Sequence, residues 1–321
     1  MNEPLITANH VSKYFEQKSF LGGKSVLKAV DEVDITIHRG ETLGLVGESG
    51  CGKSTLSRTL VRILEPSGGT ISYGGADITS LKGNDLAPYH SKMQIIYQDP
   101  YSALNPNWTV EAIVAEPLAP LRLSKEAKRE RVLSLLADVG LREDAIHRRP
   151  GAFSGGQRQR IGIARALSTN PEFIVCDEPI SALDVSIQAQ VINLLMDLKA
   201  KRALSYLFVA HDLAMVRHIA DRVAVMYLGK IVEEAPTEVL FNHPLHPYTR
   251  SLFSVIPIPD PILAREVKRV PLQGELPDPM HIPSGCRFRT RCPYATTMCE
   301  AEAPTMVDVG GAHKVACHLH K

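Results

Sequence analysis

The segment Gly47-Glu-Ser-Gly-Cys-Gly-Lys-Ser54-Thr55 constrains this chain more than any other. It fits the pattern G-x-x-x-x-G-K-[ST] between a strand-like run, Thr42-Leu-Gly-Leu-Val46, and a helix-like run, Leu56 to Leu64, which is the context that pattern requires. Gly47, Gly50 and Gly52 permit a turn tight enough to aim successive backbone N–H groups at phosphate oxygens, and the helix N-terminus adds its positive end. Lys53 is expected to reach the β- and γ-phosphates, and the Ser54 hydroxyl to take a Mg²⁺ coordination position. Glu48, Ser49, Cys51 and Thr55 complete the expected phosphate-binding set. A strand–turn–helix of this kind calls for an α/β fold.

The surrounding pattern agrees. Apolar strand-like runs at Glu41 to Val46, Met93 to Tyr97, Phe173 to Cys176, Tyr206 to Ala210 and Val223 to Tyr227 alternate with helical patterns at Ser54 to Ile63, Lys125 to Val139, Gln157 to Leu167, Ser186 to Lys201 and Asp212 to Ile219. Such alternation argues for parallel strands. The segment Val110 to Arg149 lacks strand signals and reads as a helical insertion. Apolar residues at 44%, charged residues at 22% and a net charge of +1 exclude a disordered chain and a broadly basic nucleic-acid binder. No run approaches the ~18 to 20 apolar residues that span a bilayer, and Met1 to Tyr14 lacks the pattern of a secretion signal. The expected compartment is therefore cytosolic, where six cysteines are thiols or metal ligands rather than disulfides.

A second nucleotide element is Phe173-Ile-Val-Cys-Asp177-Glu178-Pro179, an apolar strand ending in two carboxylates at the sheet edge where open α/β folds bind ligands. Asp177 suits a Mg²⁺ shell. Glu178, expected to point the opposite way along the strand, suits a general base that polarises water.

Phe153-Ser-Gly-Gly-Gln157-Arg-Gln-Arg, about twenty residues before that pair, resembles the signature segment of the ATP-binding cassette (ABC) ATPases. The resemblance extends in order from about residue 5 to residue 240: Gln98 (Q-loop), Ser181-Ala-Leu-Asp184 (D-loop) and His211 (switch histidine). It implies an ABC-type nucleotide-binding domain over 1–243, with a RecA-like P-loop core, an antiparallel β-portion and a helical subdomain at about 105–160. It implies ATP and Mg²⁺ as cofactors, with Ser54, Gln98 and Asp177 around the metal. Glu178, His211 and Gln98 form the implied hydrolytic set. Ser154, Gly155, Gly156 and Gln157 are implied to contact the γ-phosphate of ATP held by a second ATPase chain. Phe15, or else Tyr14, matches the aromatic that stacks on adenine. One departure is Phe153, where the commonest signature has Leu. Asp99-Pro-Tyr-Ser-Ala-Leu-Asn-Pro106, next to Gln98, resembles the Q-loop of peptide-type importers.

The remainder, 244–321, is a Cys-rich extension. It holds eleven of the 22 prolines and four of the six cysteines. Cys286, Cys292, Cys299 and Cys317 are separated by five, six and seventeen residues, and four thiolates so spaced can converge on one centre and staple a tail poor in large apolar residues. Thiolates suit an iron–sulfur cluster or Zn²⁺, and the intervals match neither common zinc modules nor the ferredoxin run. His313 and His318 are candidate substitute ligands or supporting groups; Cys51 and Cys176 are committed elsewhere. His243-Pro-Leu-His-Pro-Tyr-Thr-Arg250 and the cysteine segment resemble the tail of the oligopeptide and dipeptide importer ATPases, and that likeness implies a four-iron, four-sulfur cluster in place of Zn²⁺. It further implies import of peptides, or of nickel or glutathione as some relatives do. The implied partners are a paralogous ATPase in a heterodimer, two transmembrane permease chains and an extracytoplasmic solute-binding protein, and the implied location is peripheral, on the cytoplasmic face of the inner membrane. A DNA-repair ABC ATPase carries a long coiled coil between loop and signature. Here Lys53 and Ser154 are only 101 positions apart, without sustained heptads. Translation-type members carry two cassettes; this chain has one.

Overall fold

The computed structural model describes residues 3–18, 24–256 and 274–320. The 257–273 part of the expected extension lies outside them. The strands are β1 Pro4–Lys18, β2 Lys24–His38, β3 Thr42–Val46, β4 Gly68–Tyr73, β5 Ala76–Asp77, β6 Met93–Ile96, β7 Phe173–Asp177, β8 Ser205–Val209, β9 Arg222–Tyr227, β10 Lys230–Pro236, β11 Val307–Asp308 and β12 Lys314–Val315. The helices are α1 Lys53–Leu60, α2 Gly83–Lys92, α3 Pro100–Ala103, α4 Val110–Ala115, α5 Lys125–Asp138, α6 Gly155–Leu167, α7 Val185–Arg202, α8 Leu213–Ile219, α9 Thr237–Asn242, α10 Pro247–Phe253 and α11 Thr297–Ala301. Among the described residues, no helix is long and apolar enough to cross a membrane.

The described residues form two compact units. One holds Ile37–Thr42 and Ser80–Ala210; the other holds Ile6–Thr36, Leu43–Thr79 and the chain from His211 onward. In the first, β6, β7 and β8 run parallel, with Ile96 opposite Cys176 and Asp177 opposite Val209. Every residue of β7 and β8 is buried, which is why both read as unbroken apolar runs rather than alternating ones. Between β6 and β7 the chain is helical. α5 starts at Ser124, whose hydroxyl accepts from the Ala127 N–H, and it buries Val132, Leu135 and Leu136 on one face.

The second unit has two sheets. An antiparallel one follows the order β2-β1-β4-β5, with a register shift between Asn9 and Ser12. In the other, β3 and β9 are parallel, with Leu45 opposite Ala224; β10 turns back antiparallel on β9, and β12 adds to β10 through Glu233 opposite Val315. The Cys-rich segment thus contributes strands to this sheet. Backbone pairing fastens it there.

Candidate functional site

β3, buried along its whole length, delivers the chain to Gly47. A Cβ at Gly47 would lie 2.2 Å from the Met226 carbonyl oxygen, and one at Gly52 would lie 2.1 Å from that of Ala29, with φ of 153° and 109°. Only glycine fits either position. α1 then begins without a side-chain cap and without an acidic residue in its first turn, so its leading N–H groups and dipole stay available to an anion. The Lys53 ammonium arcs back over the loop and donates to the carbonyls of Gly47 at 2.8 Å and Glu48 at 2.9 Å. Lys53 also lies 3.8 Å from the Cys51 sulfur, yet burial pushes the Cys51 thiol up. Ser54 and Thr55 sit half-buried on the first turn. A concave run of donors, one buried cation and a hydroxyl fit a Mg²⁺-bound polyphosphate.

In the other unit, β7 ends at buried Asp177. Glu178 takes a left-handed φ of 48°, and its N–H donates to the Val209 carbonyl at 2.9 Å. Glu178 thus lies one residue past the end of β7 rather than within it. Gln98, two positions past β6, donates from Nε2 to Glu178 Oε2 at 2.7 Å, so two of the three expected hydrolytic residues meet. The Ser181 hydroxyl donates to the Glu178 carbonyl at 3.1 Å, and Asp184 is the N-cap of α7. His211 is exposed, two positions beyond β8.

The signature segment opens α6 at Gly155, two residues before the expected start near Gln157. Ser154 is its N-cap: the hydroxyl accepts from the Gln157 N–H at 3.4 Å while Gln157 Oε1 accepts from the Ser154 N–H at 3.1 Å. This is a capping box. Phe153 is buried beneath Arg148, 4.5 Å from its ring, which accounts for an apolar residue there. Gly156 is buried, and a Cβ on it would stand 2.5 Å from Ile187 Cγ2. Arg158, one turn into α6, lies 4.0 Å over the Tyr101 ring, joining the signature helix to the Asp99–Pro106 loop.

Phe15 is half-buried in β1, with Lys13 Nζ 5.1 Å from its ring. Tyr14 is occupied differently: its hydroxyl bonds Asp31, which also pairs with Arg287. Burial alone would raise the Asp31 carboxyl, but Tyr14 and Arg287 outweigh it and hold it low.

Cys286, Cys292, Cys299 and Cys317 line one cavity of about 110 Å³. All four are free. Burial pushes the Cys286 thiol up to about 11, with the neighbouring thiols adding to the shift. Among the described residues, no three His, Cys, Asp or Glu side chains gather closely enough to hold a metal ion; the expected single centre is not closed around one ion. His318 borders the same cavity and is bonded to the Glu302 carbonyl at 2.9 Å. His313 is committed to Glu233, 2.7 Å away.

Sequence reasoning missed the residues behind the phosphate loop. Buried Glu233 accepts from the N–H groups of Leu245 and His246 at 2.7 and 2.9 Å, and His246 Nδ1 accepts from the Tyr248 N–H at 3.0 Å. The Tyr248 hydroxyl accepts from the Glu48 N–H at 2.8 Å. The rings of Tyr227, Tyr248 and Phe288 pack with centroids 4.7 to 5.5 Å apart. The only signal was the clustering of His, Pro and Tyr at 243–250, which gave no role to any single residue.

Residues 30–181 match the family model described as ABC transporter, and residues 232–299 match the one described as oligopeptide/dipeptide transporter, C-terminal region. The chain is 50% identical over 320 residues to a putative oligopeptide transport ATP-binding protein, YkfD, of Bacillus subtilis, covering 99% of this chain and 96% of that protein. It is 50% identical over 293 residues to the oligopeptide transport ATP-binding protein OppF of Salmonella typhimurium, covering 91% of this chain and 87% of the relative. A dimeric ATP-binding cassette solved in a post-hydrolysis state with ADP and phosphate superimposes with a TM-score of 0.66 at 27% identity, covering 73% of this chain and 99% of that one.

Proposed function

This chain belongs to the ATP-binding proteins of oligopeptide-type ABC transporters, and from that premise we propose that it is the ATP-hydrolysing subunit of an ABC importer that carries peptides across a membrane. The observation that carries the reading is the uncapped, acid-free start of α1 behind Gly47 and Gly52, a loop that only glycine can make and that leaves its donors to a ligand.

In this reading the loop from Gly47 to Thr55 holds the phosphates of ATP, and Phe15 stacks on adenine because Tyr14 is tied to Asp31. Ser54, Asp177 and Gln98 would hold Mg²⁺, which would neutralise charge on the phosphates. Glu178 takes a proton from water as the water oxygen bonds the γ-phosphorus; the bond from that phosphorus to the β–γ bridging oxygen breaks, and ADP and phosphate result. The bond from Gln98 to Glu178 supports this pairing, and that glutamine must yield an oxygen of Glu178 when water arrives. His211 contacts the γ-phosphate. Ser154, Gly155, Gly156 and Gln157, with the turn Ser181 to Asp184, face the nucleotide of a second, paralogous ATPase chain, so that ATP closes the pair and hydrolysis reopens it.

We assign 1–243 to the ATPase domain, with its helical subdomain at about 105–160, and 244–321 to the importer-type extension. The partners are two permease chains, contacted next to Gln98, and an extracytoplasmic solute-binding protein; the chain works at the cytoplasmic face of the inner membrane. Cys286, Cys292, Cys299 and Cys317 line one cavity and would hold a four-iron, four-sulfur cluster, with Zn²⁺ as the alternative, by thiolate ligation.

The test is Glu178→Gln. Loss of a general base lowers turnover by about 10² to 10⁴-fold, so phosphate release should nearly stop while equilibrium ATP binding persists. Unchanged steady-state hydrolysis removes Glu178 from this role.

A further inference from the structure

The turn that carries Cys286 and Cys292 reaches back to the phosphate loop. Arg291 donates to both carboxylate oxygens of Glu48, from Nη1 at 2.7 Å and from Nη2 at 3.0 Å. The Arg291 side chain is only 5% exposed and that of Glu48 24%. The Tyr248 hydroxyl accepts from the Glu48 N–H, so backbone and side chain of one loop residue are both gripped by C-terminal elements. The position of Arg291 is itself set by that turn: its N–H donates to the Phe288 carbonyl at 3.0 Å, and the Arg289 N–H donates to the Cys286 carbonyl at 3.1 Å.

The chemistry of the pair is specific. A carboxylate in a loop that must receive a polyphosphate repels its ligand unless it is neutralised, and partial burial weakens the screening that would otherwise hide it. A guanidinium cancels that charge, and its planar fork also fixes the carboxylate's orientation, which a lysine does not do. Glu48 in turn holds Arg291 firmly protonated.

We propose that Arg291 is a positioning residue for the nucleotide site: it neutralises Glu48 and holds the phosphate loop in its ligand-ready shape, so that the cysteine-bearing turn sets the affinity for ATP. This rests on the reading of the loop as an ATP site.

A purely structural strap is the competing reading, and the same turn supplies its control. Arg289 donates to the Ser284 carbonyl at 2.9 Å and lies 3.7 Å from Glu300, fastening the segment to itself. The experiment measures ATP affinity on the purified full chain, and KM and kcat for ATP in the assembled transporter. Arg291→Met should weaken ATP binding and raise KM about tenfold, the size expected for a lost charge-assisted pair, with kcat within about twofold. Arg291→Lys, which keeps the charge but not the fork, should lie between the two, and it serves if the Met variant does not fold. Adding Glu48→Gln to Arg291→Met should recover most of the lost affinity, because the unpaired charge goes too, whereas Arg289→Met should leave affinity unchanged. Unchanged affinity in both Arg291 variants, failure of Glu48→Gln to recover it, or an equal loss in Arg289→Met would overturn the proposal. A wild-type chain that binds no ATP would instead overturn the reading of the loop.

Discussion

α1 and α6 begin in opposite ways, although both helix starts are assigned to phosphate. α1 opens after Gly52 with neither a side-chain cap nor an acidic residue, and the loop before it is braced from behind by Tyr248 and Arg291. α6 opens with its own capping box, Ser154 and Gln157 each serving the other's N–H. One start leaves its donors to a ligand and depends on distant residues for shape; the other is satisfied locally and must share Ser154 to meet a phosphate. That sharing costs little, because the bond from the Gln157 N–H to Ser154 Oγ is 3.4 Å long, beyond the strong range.

Glycine substitutions should break the comparison most forcefully. Gly52→Ala sets a Cβ 2.1 Å from a backbone carbonyl that cannot move aside, so ATP binding measured by titration calorimetry should be abolished. Gly50→Ala shares a left-handed φ, 80°, but its Cβ would meet nothing within 4 Å; its cost should be ~1 to 3 kcal/mol of backbone strain, with ATP binding retained. Equal losses in the two variants would mean that the loop is not held as tightly as its contacts imply.

Ser154→Asp should produce the next largest effect. Aspartate caps a helix about as well as serine, so the melting temperature should hardly change, whereas, if Ser154 meets the γ-phosphate of a partner chain's ATP as proposed, the carboxylate should cut hydrolysis by more than about tenfold through like-charge repulsion. Ser154→Ala gives the converse stability result, a loss of ~1 kcal/mol of helix stability. Full ATPase activity in Ser154→Asp would show that α6 is merely a well-capped helix.

These contrasts also mark where the sequence was legible. The phosphate loop could be read because its constraint is local: the glycines, lysine and hydroxyl act within nine residues, between a strand and a helix whose periods announce themselves. The buried parallel strands were equally plain as apolar runs. The Glu48–Arg291 pair joins residues 243 positions apart, and no periodicity links them. The aromatic packing of Tyr227, Tyr248 and Phe288 was hidden likewise, since each lies in a different segment. The backbone at Glu178 was hidden for a local reason: a left-handed φ at a non-glycine residue leaves no mark in the sequence.

The smallest expected effect separates the two helix starts by pH. His246 is buried, and its Nδ1 must accept from the Tyr248 N–H, so the neutral ring belongs to the brace behind the phosphate loop and to nothing at α6. Burial lowers its pKa from 6.5 to about 3, with His320 and Arg250 adding to the shift. Above pH 6.5 the ring is neutral in folded and unfolded chains alike, and its contribution to stability is complete. As the pH falls from 6.5 toward 3 the unfolded chain takes up a proton that the folded one refuses, so stability is lost, by at most ~1.4 kcal/mol per pH unit from this group. Asp138 on α5 adds its own acid sensitivity, since Lys201 and Arg202 overcome its burial and hold its carboxyl low; the informative quantity is therefore the difference between wild type and His246→Asn. Asparagine can still cap α10 but does not titrate, so its melting temperature should fall less between pH 7 and 5. ATP affinity of the folded protein should show no such difference over this range, because the folded ring, with a pKa lowered to about 3, stays neutral and keeps its bond to the Tyr248 N–H. Parallel melting-temperature profiles in the two proteins would mean that His246 is not held as the buried neutral ring that accepts from the Tyr248 N–H.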